Sequence, residues 1–172
     1  MASMKGKLQH FRNRNNNRIM TNQEIQETIS KWKEGLEFSE EESEFLNVTV
    51  DKEDLREISK KLRDTPELDF DYMFCLTGID WGEEMGVIYH LESIEKNHCV
   101  VVKVKTSDRE NPVLDTVSDI WRTAEFHEME VFDFFGIRFN DHPNMKRLFL
   151  PPEWEGYPLR KDYEDEVNMV IK

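Results

Sequence analysis

Tyr72-Met73-Phe74-Cys75-Leu76-Thr77-Gly78-Ile79-Asp80 (YMFCLTGID), with residues 84–94 (EMGVIYHLESI) and 99–106 (CVVVKVKT) behind it, decides the fold. The runs are rich in β-branched and aromatic side chains. Lys96-Asn97 separates the last two, so they read as an antiparallel hairpin preceded by a buried strand. On this reading Cys75 is buried and inert, and His90 is an edge or core residue. His98 and Cys99 point to opposite faces, which disfavours a Cys–His nucleophile pair.

On the N-terminal side, Ile25, Ile29 and Trp32 recur at helical spacing behind Thr21, a residue that caps helices, and Gly35 is placed to end the run. The acidic stretch of Glu37, Glu40, Glu41, Glu42 and Glu44 reads as a solvated linker rather than a cation site. Residues 45–50 read as a short strand. A second helix opens at Asp51, with Asp54 three residues on, like a capping box without its usual Glu or Gln. Leu55, Ile58 and Leu62 give it an apolar face, and Pro66 stops it.

On the C-terminal side, helical periodicity runs between Pro112 and Gly136 on Val117, Ile120, Trp121, Ala124, Met129 and Phe132. It fails beyond Gly136, where residues 143–158 hold four of the six prolines. Proline fixes φ and removes a donor, so no ordinary helix or central strand fits there. Leu148, Phe149, Trp154, Tyr157 and Leu159 are interleaved with Lys146, Arg147, Arg160 and Lys161. A stiffened segment of that composition suits docking on another protein, and equally packing back on its own domain. The chain therefore divides into a basic leader (residues 1–19), an α/β domain (20–140) and an extended arm (141–172).

The 172 residues suit one domain with an extension, and nineteen aromatic side chains argue against disorder. The net charge of −13 hides an asymmetry: residues 1–19 hold five basic residues and no acid, leaving −18 on the rest. So acidic a body is unsuited to nucleic acid. The leader is expected to be a disordered extension; docking on RNA or anionic lipid is its other reading. No apolar run exceeds about five residues, against about 20 for a spanning helix, and no signal-peptide core is visible, so a soluble cytosolic protein is expected. Cys75 and Cys99 cannot supply the four ligands of an iron–sulfur cluster or a structural zinc site.

No dinucleotide fingerprint, P-loop or GxSxG elbow is present. Position 131 is Val, so His127-Glu128 lacks the second His of a zincin. His127, Glu130, Asp133 and His142 form at most a loose metal set, and a charged helix end bonded to a neighbour, or to Arg138, Lys146 and Arg147, accounts for them better. The residues alone describe a cofactor-free α/β domain with an adhesive tail.

Two blocks add something specific. The first is Glu128-Met129-Glu130-Val131-Phe132-Asp133-Phe134-Phe135-Gly136-Ile137, then Phe139, His142-Pro143 and Lys146-Arg147-Leu148. The second is Pro151, Trp154, Gly156 and Pro158-Leu159-Arg160-Lys161-Asp162-Tyr163. Together they resemble the signature of the 30-kDa subunit family of bacterial NADH:quinone oxidoreductase, respiratory complex I. Met129 stands where the family pattern has Arg, and Phe149 where it is usually aliphatic.

The resemblance implies a two-layer α/β domain, a mixed sheet covered by helices, followed by the proline-rich arm. It implies a structural subunit with no catalytic residue, flavin or iron–sulfur cluster of its own. FMN, clusters, NADH and quinone are expected on the assembled complex. Partners would be other complex I subunits, chiefly the quinone-site subunit and the cluster-bearing subunit beside it. The location would be the cytoplasmic face of the bacterial inner membrane, reached only through the complex. Glu128, Glu130, Asp133, Gly136, His142, Pro143, Lys146, Arg147, Trp154, Tyr157, Pro158, Leu159, Arg160, Lys161, Asp162 and Tyr163 are then expected at partner interfaces. Truncation after Asn140 should leave the domain folded and abolish assembly. The other assembly compatible with the motifs is a membrane-bound hydrogenase or ferredoxin-fed relative, and the other functional class is a metal enzyme using His127, Glu130 and His142.

Overall fold

In a computed structural model, described over residues 19–39 and 45–165, seven strands and three helices alternate. They run α1 (Asn22–Ile29), β1 (Glu37–Ser39), β2 (Leu46–Val50), α2 (Leu55–Asp64), β3 (Tyr72–Asp80), β4 (Met85–Ser93), β5 (His98–Thr106), β6 (Val113–Asp115), α3 (Ala124–Phe135) and β7 (Arg138–Asn140). Five strands form one mixed sheet in the order β1-β2-β5-β4-β3. β3, β4 and β5 form an antiparallel meander, α2 carries the chain from β2 across to β3, and β5 returns to lie parallel to β2. β6 and β7 make a small parallel pair.

Strand alternation sorts the sheet into two faces. Met73, Leu76, Met85, Val87, Tyr89, Leu91, Val100, Val102 and Val104 share a single core with Ile25 and Ile29 of α1, Leu55, Ile58 and Leu62 of α2, and Ala124 and Val131 of α3. The helices thus cover one face, in two layers as expected. On the other face Val101 is buried yet stands apart from this core.

Local chemistry explains the boundaries. The Thr21 hydroxyl accepts from the Glu24 amide and the Glu24 carboxylate accepts from the Thr21 amide, a reciprocal cap that starts α1. The helix stops at Ile29, short of Trp32 and Gly35. Part of the acidic stretch is a strand rather than a linker: Phe38 pairs with Val48 and packs against the core, which recruits Glu37 into β1. Glu40, Glu41, Glu42 and Glu44, like the leader, lie outside the described residues. α2 begins after Asp54 rather than at Asp51, and neither acid caps it through its side chain; Asp54 takes the Lys33 ammonium instead.

β3 is an edge strand and not buried on both faces: Tyr72 and Phe74 are exposed, Cys75 is half-buried, and the register slips between Met73 and Cys75. The periodicity over 112–136 also overstates the helix. Residues 113–115 pair with β7, Val117 to Trp121 makes a single turn (Trp121 N to Val117 O, 2.9 Å), and α3 starts only at Ala124. Non-local pairing with Arg138–Asn140 overrides the local pattern there.

Candidate functional site

The expected arm folds back on α3, and two carboxylates organise the contact. Asp133, near the end of α3, is fully buried. Its Oδ2 accepts from the backbone N–H groups of Leu148 (3.0 Å), Phe149 (2.7 Å) and Leu150 (3.0 Å), and its Oδ1 from Arg147 Nη1 (3.0 Å). Burial pushes this carboxyl upward, but the three amides and the guanidinium outweigh it and hold it below the usual range. Arg147 continues the link: Nη2 donates to the carbonyls of Trp154 (2.9 Å) and Gly156 (3.0 Å), and the guanidinium lies 5.3 Å from the Tyr157 ring.

Gly136 ends α3 in the left-handed conformation (φ 72°), and a Cβ there would stand 2.5 Å from the Tyr157 ring and 2.6 Å from Arg160 Nη2. Only glycine both adopts that backbone and lets the arm this close. Arg160 reaches past it to the carbonyls of Phe135 (2.6 Å) and Arg109 (3.0 Å).

The second carboxylate is Asp80, at the end of β3. Arg109 meets it through both guanidinium nitrogens (2.6 and 2.9 Å), and the amides of Gly82 (2.8 Å) and Lys161 (2.9 Å) complete its shell. The Arg109 fork, with the amides behind it, holds Asp80 well below the usual carboxylate range. Arg109 also reaches Asp162 at 3.1 Å. The Pro158-Leu159-Arg160-Lys161-Asp162-Tyr163 motif is thus a clasp joining α3, β3 and the loop after β5.

Glu128 lies deeper. Its Oε1 accepts from Val117 N (2.8 Å) and its Oε2 from the Thr116 hydroxyl. Burial dominates those two donors and pushes its pKa up to about 7. His142 Nε2 is 3.9 Å from Glu128 Oε2, with both side chains buried. That ring bonds elsewhere, through Nε2 to the Glu125 carbonyl (2.9 Å) while Nδ1 accepts the Asn144 amide (3.1 Å), a pattern that fits neutral imidazole with its proton on Nε2.

Residues 48–167 match the family described as respiratory-chain NADH dehydrogenase, 30 Kd subunit. The chain belongs to this family. The NADH-quinone oxidoreductase C subunit of Chlorobium phaeobacteroides is 41% identical over 129 residues, covering 73% of this chain and 76% of that one. The C subunit of Chloroherpeton thalassium is 45% identical, covering 64% and 47%. The C/D subunit of Phocaeicola vulgatus is 51% identical, covering 70% and 23%. The chain spans under half the length of the last two. Among solved structures, a chain of the membrane-bound sulfane sulfur reductase, an archaeal respiratory membrane complex, aligns with TM-score 0.69 and 30% identity over 83% of this chain and 85% of that one. A trypsin-resistant fragment of Nqo5 aligns with TM-score 0.60 and 26% identity over 70% and 96%.

In this chain the signature residues fall into three groups. Glu128, Asp133 and Gly136 are buried, and their contacts are within the chain. Arg147, Trp154, Tyr157, Pro158, Arg160 and Tyr163 are half-buried along the arm, and the His142 side chain is buried under the start of α3. Glu130, Pro143, Lys146, Leu159, Lys161 and Asp162 are exposed. Met129, at the position of the pattern's Arg, is buried at 2% exposure. The loose metal set is dispersed: Asp133 is occupied by the arm, His142 lies under the start of α3, and His127 and Glu130 face a groove beside β3. Among the described residues no three His, Cys, Asp or Glu are placed to hold a metal ion. Cys75 and Cys99 sit on one sheet face but on strands separated by β4 and out of register by two residues, so they are not neighbours. Asp80 and Arg109 were missed by sequence reasoning; an acid at the end of an apolar strand was their one available signal.

Proposed function

We propose that this chain is a structural subunit of the peripheral arm of an NADH:quinone oxidoreductase, with no cofactor or active site of its own. It would support the assembly of the quinone-site and cluster-bearing subunits at the cytoplasmic face of a bacterial inner membrane. The observation that carries this reading is the fate of the signature. Its carboxylates and arginines bind one another and the backbone and fasten the arm onto α3 and β3, where a catalytic site would leave a nucleophile or base in a cleft. Family membership and the names of the relatives supply the assembly. Among the described residues no helix is long and apolar enough to cross a membrane, so attachment would run through other subunits.

The likeness to a chain of the archaeal sulfane sulfur reductase favours a second reading, an equivalent subunit in a related membrane complex with another electron donor. Affinity capture of the tagged chain from gently solubilised native membranes separates the two. Recovery with complex I peripheral-arm subunits and NADH:quinone reduction is expected. Recovery with hydrogenase or sulfur-reductase subunits selects the second reading, and recovery of the chain alone overturns both.

A further inference from the structure

β3 has β4 on one side and, among the described residues, no strand on the other. Its ends are closed: the Thr123 hydroxyl donates to the Met73 carbonyl (2.7 Å), and the Lys161 amide binds the Asp80 side chain. Between them, along Cys75, Thr77 and Gly78, β3 faces α3 across a groove of about 280 Å³ whose far wall is His127, Glu130 and Phe134, with Leu159 at one end. The groove has an apolar rim. Phe126 is 63% exposed, Leu159 55%, and Phe149, 63% exposed, stacks on Phe134 with ring centroids 5.6 Å apart. So many exposed aromatic and aliphatic groups around one cleft mark an interaction surface. Glu130 is exposed and its side chain has no partner among the described residues.

We propose that this groove seats an extended, mainly apolar segment of a neighbouring subunit, which pairs with the free edge of β3 as an added strand and sets a Lys or Arg against Glu130. The open edge specifies an extended occupant, because only a strand satisfies a row of peptide donors and acceptors. The apolar rim specifies its side chains, and the lone carboxylate in a strongly acidic chain specifies a cation. The inference rests on the subunit reading above and adds the surface and the chemistry of its partner.

The test places p-benzoylphenylalanine at position 126 (Phe126→p-benzoylphenylalanine) in the full chain, irradiates the gently solubilised native complex, and maps cross-linked peptides by mass spectrometry. A single extended segment from another subunit, with a Lys or Arg in it, is expected, and Glu130→Lys should lower that cross-link about tenfold. Cross-links confined to this chain, including its residues 166–172, to lipid, or to a helical segment would overturn the proposal. Hydrogen exchange on the unmodified protein gives an independent reading: those amides of residues 75–79 that point away from β4 should exchange at least about tenfold more slowly in the complex than in the isolated chain. Equal rates in a chain that co-purifies with its subunits sink the groove and leave the subunit reading standing. A chain that captures no subunit sinks the subunit reading itself.

Discussion

Glu128 and Asp133 lie five residues apart on α3, both buried, with opposite proton preferences. Asp133 is held ionised by three amides and Arg147, whereas Glu128 has two donors and is dominated by burial. A carboxyl raised from 4.5 to about 7 stabilises the fold while protonated. Its contribution is complete below pH ~4.5 and lost as pH rises through 7, a change of about 3 kcal/mol. Glu128→Gln keeps one oxygen for Val117 and offers an N–H to Thr116. It should flatten the pH dependence of stability between pH 5 and 8, read by urea unfolding at several pH values. Asp133 works the other way, stabilising above the unfolded carboxyl pKa and losing that contribution as pH falls through its lowered value. Asp133→Asn leaves Arg147 without its counter-charge, and a loss of about 3 kcal/mol in urea unfolding at pH 7 is expected. The sequence marked both residues within one motif and could not divide their roles. Their partners lie 11 to 17 positions away in irregular chain, where no periodicity reports a contact.

The arm illustrates the same limit for elements. Its prolines and aromatics made an extended, adhesive segment legible, but not that it would close on its own helix. Given the Asp133 and Asp80 contacts, truncation after Asn140 is expected to lower the melting temperature and increase proteolysis at α3, rather than leave an unaltered domain. Unchanged melting would show the clasp to be energetically idle. Gly136→Ala tests the joint itself. It adds strain at positive φ and a collision with Tyr157, and should reduce stability by about 1–3 kcal/mol in thermal unfolding. The long meander strands were readable because nine residues give alternation room to declare itself. β1, β6 and β7 have three residues each, too few for any period. Their existence depends on partners supplied from elsewhere in the chain.

For the whole molecule, the two-layer arrangement was implied by the resemblance, while the edge position of β3 emerged only with strand order. A chain without a cofactor of its own should show no absorption above the protein band when purified alone; a stoichiometric flavin or iron–sulfur spectrum would contradict the proposed role. The parallel pairing of Leu46 with Val100 at the sheet centre has a consequence for how the chain reaches this structure. The meander is local and can close early, whereas β2 must return across a wide separation to dock on β5. Until it does, the valine-rich flank of β5, Val100-Val101-Val102, presents an open strand edge. The interval before that docking is when the chain is most exposed to self-association, so slow formation of the α2 crossover would show first as aggregation and only later as lost stability.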